Sequence, residues 1–231
     1  MDRRLTAALI AEGVGTYLFF VVGAGSIVLV DFAPPGPGLL GIALAHGIIL
    51  AVMVSSLGAV SGGHFNPAVT FGLWIAGKID VAKGVAYVVA QLIGSVLAGL
   101  TLRAVFPEAA WSPSHIGTPG LGANVGIVTG IGLEAVLTVV LLLAVFGTAV
   151  DSRGPKIGGL AIGFAIAADI LVGGPVTGAA MNPARWFGPA VASGFLDNAV
   201  VWIVGPLLGA AVAALLYRFV FSAEAMEAAK A

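Results

Sequence analysis

Apolar residues run along this chain in six long blocks, at about 5–30, 39–60, 82–105, 122–149, 157–174 and 198–220. A bilayer crossing takes roughly 20 apolar residues, so each block predicts one transmembrane helix. The separators carry the polar, proline and glycine punctuation of loops: Asp31 to Pro37, Pro107 to Gly120, and Asp151 to Lys156. Two shorter apolar segments, at about 66–77 and 182–193, cannot span. Each follows a glycine-containing turn and begins with Asn-Pro. Asn suits an N-cap and Pro the first helical turn, so a short helix is predicted to start at each.

The pattern also repeats. Gly63-His64-Phe65-Asn66-Pro67-Ala68 returns as Ala180-Met181-Asn182-Pro183-Ala184, and Ala90-Gln91-Leu92-Ile93-Gly94 returns 115 positions later as Gly205-Pro206-Leu207-Leu208-Gly209. Glu12, four residues before Thr16, matches Glu134, four before Thr138. Each half, about 5–105 and 122–220, holds three spans and one half-helix. An odd number of spans turns the second half over in the membrane, which makes an inverted repeat. The expected fold is an all-α membrane protein of six transmembrane helices and two re-entrant half-helices, with residues 1–231 as a single domain.

Composition sharpens this picture. Hydrophobic residues make up 59% and charged ones 9%, with a mean hydropathy of +1.09; a soluble domain carries about 25% charged residues. The lipid bilayer is therefore the expected surroundings. A net charge of −1 offers no basic face, so no nucleic-acid partner is expected. The absence of cysteine excludes disulfides and thiolate chemistry. The start, Met1-Asp2-Arg3-Arg4, leads into an apolar run too long for a cleaved signal. With the N-terminus inside, Arg3, Arg4, Lys78, Lys83, Arg153, Lys156, Arg218 and Lys230 fall on the cytoplasmic side, eight of the 10 basic residues. Both termini are thus expected to be cytoplasmic. The compact chain and short tails point to the plasma (inner) membrane of a prokaryote.

Two half-helices entering from opposite faces would meet near the midplane, where irregular backbone is tolerated only if buried or lining a water-filled cavity. Each aims its positive end at the meeting point. Asn66 and Asn182 there can offer amide N–H donors to a lumen, and the two helix ends repel cations. The alternative is that Asn-Pro only caps two buried helices. Arg185 is costly at membrane depth unless it faces a polar cavity, and there it adds a fixed positive charge. Glu12 and Glu134 are intramembrane carboxyls at symmetric positions, expected to accept hydrogen bonds from the re-entrant loop of their own half; a proton relay is the sharper alternative. No nucleophile–base pair stands at a useful spacing and three scattered histidines make no metal site, so no enzyme, metal or cofactor is expected.

The strings Ser61-Gly62-Gly63-His64-Phe65-Asn66-Pro67-Ala68-Val69-Thr70 and Asn182-Pro183-Ala184-Arg185 resemble the two signature loops of the aquaporin (major intrinsic protein) family, and the resemblance covers essentially the whole chain. It implies a homotetramer with one pore per protomer, passing water and small neutral solutes. It also implies a four-residue selectivity filter, which spacing from the motifs maps onto His46, Ile170, Ala179 and Arg185. That set departs from the strict water-channel pattern, with Phe first and His second. It is similar to the filter of plant tonoplast-type aquaporins, whose members often pass ammonia, urea or hydrogen peroxide besides water. His46 reads either as a filter residue, whose protonation would add a second charge beside Arg185, or as a packing histidine. The alternative cargo is glycerol or urea. Family members of that kind carry Asp after the filter Arg and a basic residue four further on, where this chain has Trp186 and Ala190. His64 is expected to brace the first loop. His115, in the long outer loop, reads either as a solvated side chain or as a support for Arg185.

Overall fold

The computed structural model describes residues 2–228; Met1 and Lys230 lie outside the described residues. Among the described residues ten α-helices follow one another: α1 (Arg3–Phe32), α2 (Gly38–Ser61), α3 (Pro67–Ile75), α4 (Val81–Val105), α5 (Glu108–Trp111), α6 (Ile127–Val145), α7 (Gly158–Thr177), α8 (Pro183–Ser193), α9 (Val200–Leu216) and α10 (Ala223–Ala228). A π-turn, Phe146–Val150, prolongs α6, and a second, Tyr217–Phe221, prolongs α9. Helices α1, α2, α4, α6, α7 and α9 are long and apolar enough to cross a membrane. Their outward faces carry bare hydrophobic side chains such as Val105, Val128, Phe164 and Val172, each more than half exposed. In water such a surface would aggregate; hydrocarbon is its natural solvent.

The helix starts follow capping chemistry. Asp2 Oδ1 accepts from the Arg4 amide at the head of α1, and Asp80 Oδ1 from the Lys83 amide at the head of α4. The largest departure from the apolar pattern is α6, which begins at Ile127 rather than near 122. Gly122 donates its amide to the Val176 carbonyl (2.8 Å), so this stretch packs across the end of α7 as loop. Conversely, α7 runs through Pro175 to Thr177 instead of stopping at 174.

Close crossings hold the bundle together. Gly47 of α2 and Gly163 of α7 face each other: a methyl on Gly163 would run into the Gly47 carbonyl oxygen, and one on Gly47 would sit 2.5 Å from the Gly163 carbonyl oxygen. Gly163→Val must push the two helices apart, an overpacking cost of about 1–3 kcal/mol. The expected result is a lower melting temperature for the detergent-solubilised protein, and an unchanged melt would contradict this close approach.

At the face carrying the N-terminus, the loop from Asp151 to Lys156 is pinned to the end of α9. Arg153 Nη2 donates to Asp151 Oδ2 and to the Phe221 carbonyl oxygen, both at 2.5 Å. The hydrogen bonds from Arg153 hold the Asp151 carboxyl down to about 2.

Candidate functional site

Helix α2 ends at Ser61, and the chain folds back into the bundle over residues 62–66 before α3 leads out towards the same face. The same path recurs after Thr177: residues 178–182 turn inward and α8 leads out on the opposite side. The backbone of the two returns matches residue for residue. Left-handed φ values occur at Gly62, Gly63 and Phe65, and again at Gly178, Ala179 and Met181. For Phe65, Ala179 and Met181 this conformation carries strain, which persists only where surroundings enforce it.

Two buried carboxylates do the enforcing. Glu12 of α1 accepts from the amides of His64 (3.0 Å) and Phe65 (2.8 Å), from Ser61 Oγ (2.6 Å) and from Gln91 Nε2 (2.8 Å). Glu134 of α6 accepts from the amides of Ala180 (2.9 Å) and Met181 (2.7 Å) and from Thr177 Oγ1 (2.7 Å). Each carboxylate thus straightens its loop by taking two adjacent N–H groups that no helix could satisfy. Outer braces also correspond. Tyr87 Oη donates to the Ser61 carbonyl (2.7 Å), and Trp202 Nε1 donates to the Thr177 carbonyl (2.9 Å). Tyr87 and Trp202 stand at the same 115-residue offset as the sequence repeat, so different ring chemistry fills one role.

The strained carbonyls point across to the other loop. Asn66 Nδ2 donates to the Met181 carbonyl (2.9 Å), and Asn182 Nδ2 donates to the Phe65 carbonyl (3.0 Å). Each Asn keeps its Oδ1 on its own helix: Asn66 caps the Ala68 amide (2.7 Å) and Asn182 the Ala184 amide (3.0 Å). Pro67 and Pro183 occupy the first turns, and Ser95 Oγ donates to the Ala184 carbonyl. One N–H of each Asn amide remains for another acceptor. Both Asn residues line a cavity of about 240 Å³ that opens at the face carrying Lys78 and Lys83. His64 lines it too, its Nδ1 3.0 Å from Thr70 Oγ1 and its ring edge-on to Tyr87.

A second cavity, of about 340 Å³, opens at the opposite face and is lined by His46, Ile170, Arg185 and the loop from Pro113 to Gly120. Arg185 is 3% exposed and carries no ion pair among the described residues. Its Nε donates to His46 Nε2 (3.2 Å) and its Nη1 to the Gly117 carbonyl (2.8 Å). Since His46 Nδ1 lies 2.9 Å from the Ile42 carbonyl, Nδ1 carries the proton and Nε2 is the acceptor. Protonating His46 would set a donor against the Arg185 donor, so the idea of pH control through His46 meets an occupied nitrogen. Ala179 does not line this cavity, although the adjacent Gly178 does.

Sequence reasoning missed several of these residues. Gly117 is one: His115, Ile116 and Gly117 all adopt left-handed φ, which folds the outer loop inward, and a methyl on Gly117 would lie 2.9 Å from the Ala24 carbonyl oxygen. His115 itself is exposed and stacks on Phe195 (4.1 Å, 3°); Arg185 takes its loop partner two residues later. Tyr87 carries no motif, and Gln91 lies in the repeated stretch but opposite Pro206, which has no matching side-chain donor. Trp186 stacks on Trp202 (6.1 Å, 10°), clamping α8 to α9. Asp169, a third buried carboxyl within a span, is 4% exposed; its presence in an apolar block was the signal.

Two signature loops, two opposed half-helices and six spans define a membrane channel fold, and comparison with known proteins agrees. The family model described as "Major intrinsic protein" matches residues 2–217. Among curated proteins, the chain is 44% identical to "Aquaporin TIP4-4" of Zea mays, covering 96% of this chain and 90% of that one. It is 43% identical to "Aquaporin TIP2-1" of Arabidopsis thaliana, covering 93% and 87% respectively. Among solved structures, the aquaglyceroporin from Plasmodium falciparum superposes with a TM-score of 0.85 at 23% identity, covering 96% of this chain and 99% of that one, a likeness of fold. This chain belongs to the major intrinsic protein family.

One expectation is corrected by these relatives. Compactness and short tails point to the plasma membrane of a prokaryote, but the similar proteins are TIP-type aquaporins of Zea mays, Oryza sativa and Arabidopsis thaliana, which point to a plant membrane. This chain spans 85–90% of the length of its first relatives, so compactness belongs to the fold and carries no information about the compartment.

Proposed function

We propose that the chain is a passive channel for water, with Asn66 and Asn182 as the midplane donors and His46, Ile170, Ala179 and Arg185 as the selectivity filter. The observation that carries this reading is the pair of Asn amides, each anchored on the opposite loop and both lining one cavity. A water passing them turns its oxygen toward the amides, which breaks the hydrogen-bonded file a proton would need. The two half-helix ends and Arg185 supply positive potential along the same path and repel cations. Pro67, Ala68, Pro183 and Ala184 build the first turns that hold the Asn pair, while Glu12, Glu134 and His64 support the loops. Ile170 and Ala179 give the filter an apolar, roomy side, which suits ammonia or urea beside water. A homotetramer with one pore per protomer is the proposed assembly, embedded by the bare apolar faces of its spans.

The test is stopped-flow light scattering on proteoliposomes, comparing shrinkage in an impermeant osmolyte with re-swelling in glycerol, urea and ammonium gradients. Fast water flux, little glycerol flux and a measurable ammonia signal are expected. Slow water flux with fast glycerol flux would replace water by glycerol as the cargo.

A further inference from the structure

Three buried carboxyls lie within the spans, and the loops use only two of them. Asp169 of α7 is 4% exposed, and its Oδ2 is enclosed without a hydrogen-bond partner. It directly precedes Ile170 and lies one helical turn before Gly173. A methyl on Gly173 would meet Leu137 of α6 at 2.5 Å and Ala179 of the second loop at 3.1 Å. Residues one turn apart share a helix face, so Asp169 looks toward α6 from beside two of the four filter positions.

The charges around it are few. Glu134, the sole ionisable residue of the span 127–150, is bonded to Thr177, about two helical turns along α7 from Asp169. The only ionisable residue of α2 is His46, whose ring is engaged by Ile42 and Arg185. Arg185, alone in α8, directs its Nε and Nη1 to His46 and Gly117. Among the described residues the one ion pair is Arg153–Asp151, so no cation is paired with Asp169.

We propose that Asp169 is a positioning residue whose proton occupancy sets the shape of the outer constriction. With its proton the carboxyl is a neutral group packed between α6 and α7. Once the proton passes to water, a carboxylate is left enclosed in a low-dielectric interior with no counter-ion and with its Oδ2 unpartnered, which strongly disfavours the charge. Glu134 is tied to the second loop by three hydrogen bonds. With that end of the interface held, relief comes from moving α7 against α6 so that water reaches the Asp169 carboxylate, which carries Ile170 with it and shifts the wall beside Ala179.

This rests on the filter reading above, and the experiment separates the two. Water and urea fluxes are measured in proteoliposomes with equal pH on both sides, across roughly pH 4.5 to 9.5, a range covering ordinary and raised carboxyl titrations. Wild-type water flux is expected to fall from an acid plateau to a lower alkaline one within about two pH units, as a single titrating site requires. The urea-to-water ratio should follow the same curve. Asp169→Asn, similar in size and unable to ionise, is expected to hold the acid plateau throughout. If that variant does not reconstitute, Asp169→Ser carries the same comparison. A flat wild-type profile, or a slope that persists in the variant, overturns the proposal. No water flux at any pH would instead overturn the channel reading on which it stands.

Discussion

Glu134→Ala is expected to abolish water flux and to lower the melting temperature more than Gly163→Val does. The substitution removes the acceptor of Thr177 Oγ1 and of the Ala180 and Met181 amides, and leaves three donors buried with nothing to replace it. Each unsatisfied buried donor costs about 1–3 kcal/mol, so the loss is at least roughly 3 kcal/mol. That is a large fraction of a typical stability of about 5–15 kcal/mol. The damage is also directional. Ala179 and Met181 hold left-handed φ only while their loop is pinned. When it relaxes, the Met181 carbonyl leaves Asn66, and the midplane pair loses one of its two cross-links. Glu134→Gln is expected to do less harm in size but still cost flux, because its amide turns a donor toward donors. The check is flux per reconstituted protein together with a thermal melt; near-native flux in Glu134→Ala would mean that the loop holds its shape without the carboxylate.

The same network marks how far the sequence could be read. The Asn-Pro motifs, Glu12 and Glu134 were legible because they recur in both halves, and recurrence in an inverted repeat forces them to one place. The six spans were legible because lipid demands unbroken apolar runs. Gly117 was not, because its contribution is a backbone carbonyl delivered by three successive left-handed residues, and nothing in Ser-His-Ile-Gly announces that turn. Tyr87 was hidden for another reason. Its counterpart is Trp202, so the repeat preserves a ring with a polar hydrogen rather than a residue type. The start of α6 was misplaced because the stretch from Gly122 is as apolar as a helix, while the Gly122 amide bonds to the Val176 carbonyl at the end of α7. Asp169 has no carboxyl at the matching position of the first half, where Met53 and Val54 stand, so the repeat assigns it no role.

Arg185→Val is the second change with a large expected effect, and its signature differs from that of Glu134→Ala. Water flux is expected to persist within a few-fold, because the Asn pair and both loops keep their hydrogen bonds. Cation leak, by contrast, should rise steeply. A unit charge about 4 Å from a permeating cation contributes about 4 kcal/mol at an effective dielectric constant near 20. By transition-state arithmetic that corresponds to about a thousandfold in rate. Loss of Arg185 also frees His46 Nε2 and the Gly117 carbonyl, two acceptors now turned toward the lumen, which further favours a cation. Sodium and proton leak into proteoliposomes, followed with ion-sensitive dyes under an imposed potential, reads this directly. His46→Phe serves as the comparison: it removes the imidazole acceptor but keeps the arginine charge, so its leak should stay near the wild-type level. If Arg185→Val leaks no more than wild type, the half-helix ends carry the cation barrier alone. Arg185 would then act on solute size and hydrogen bonding, not on charge.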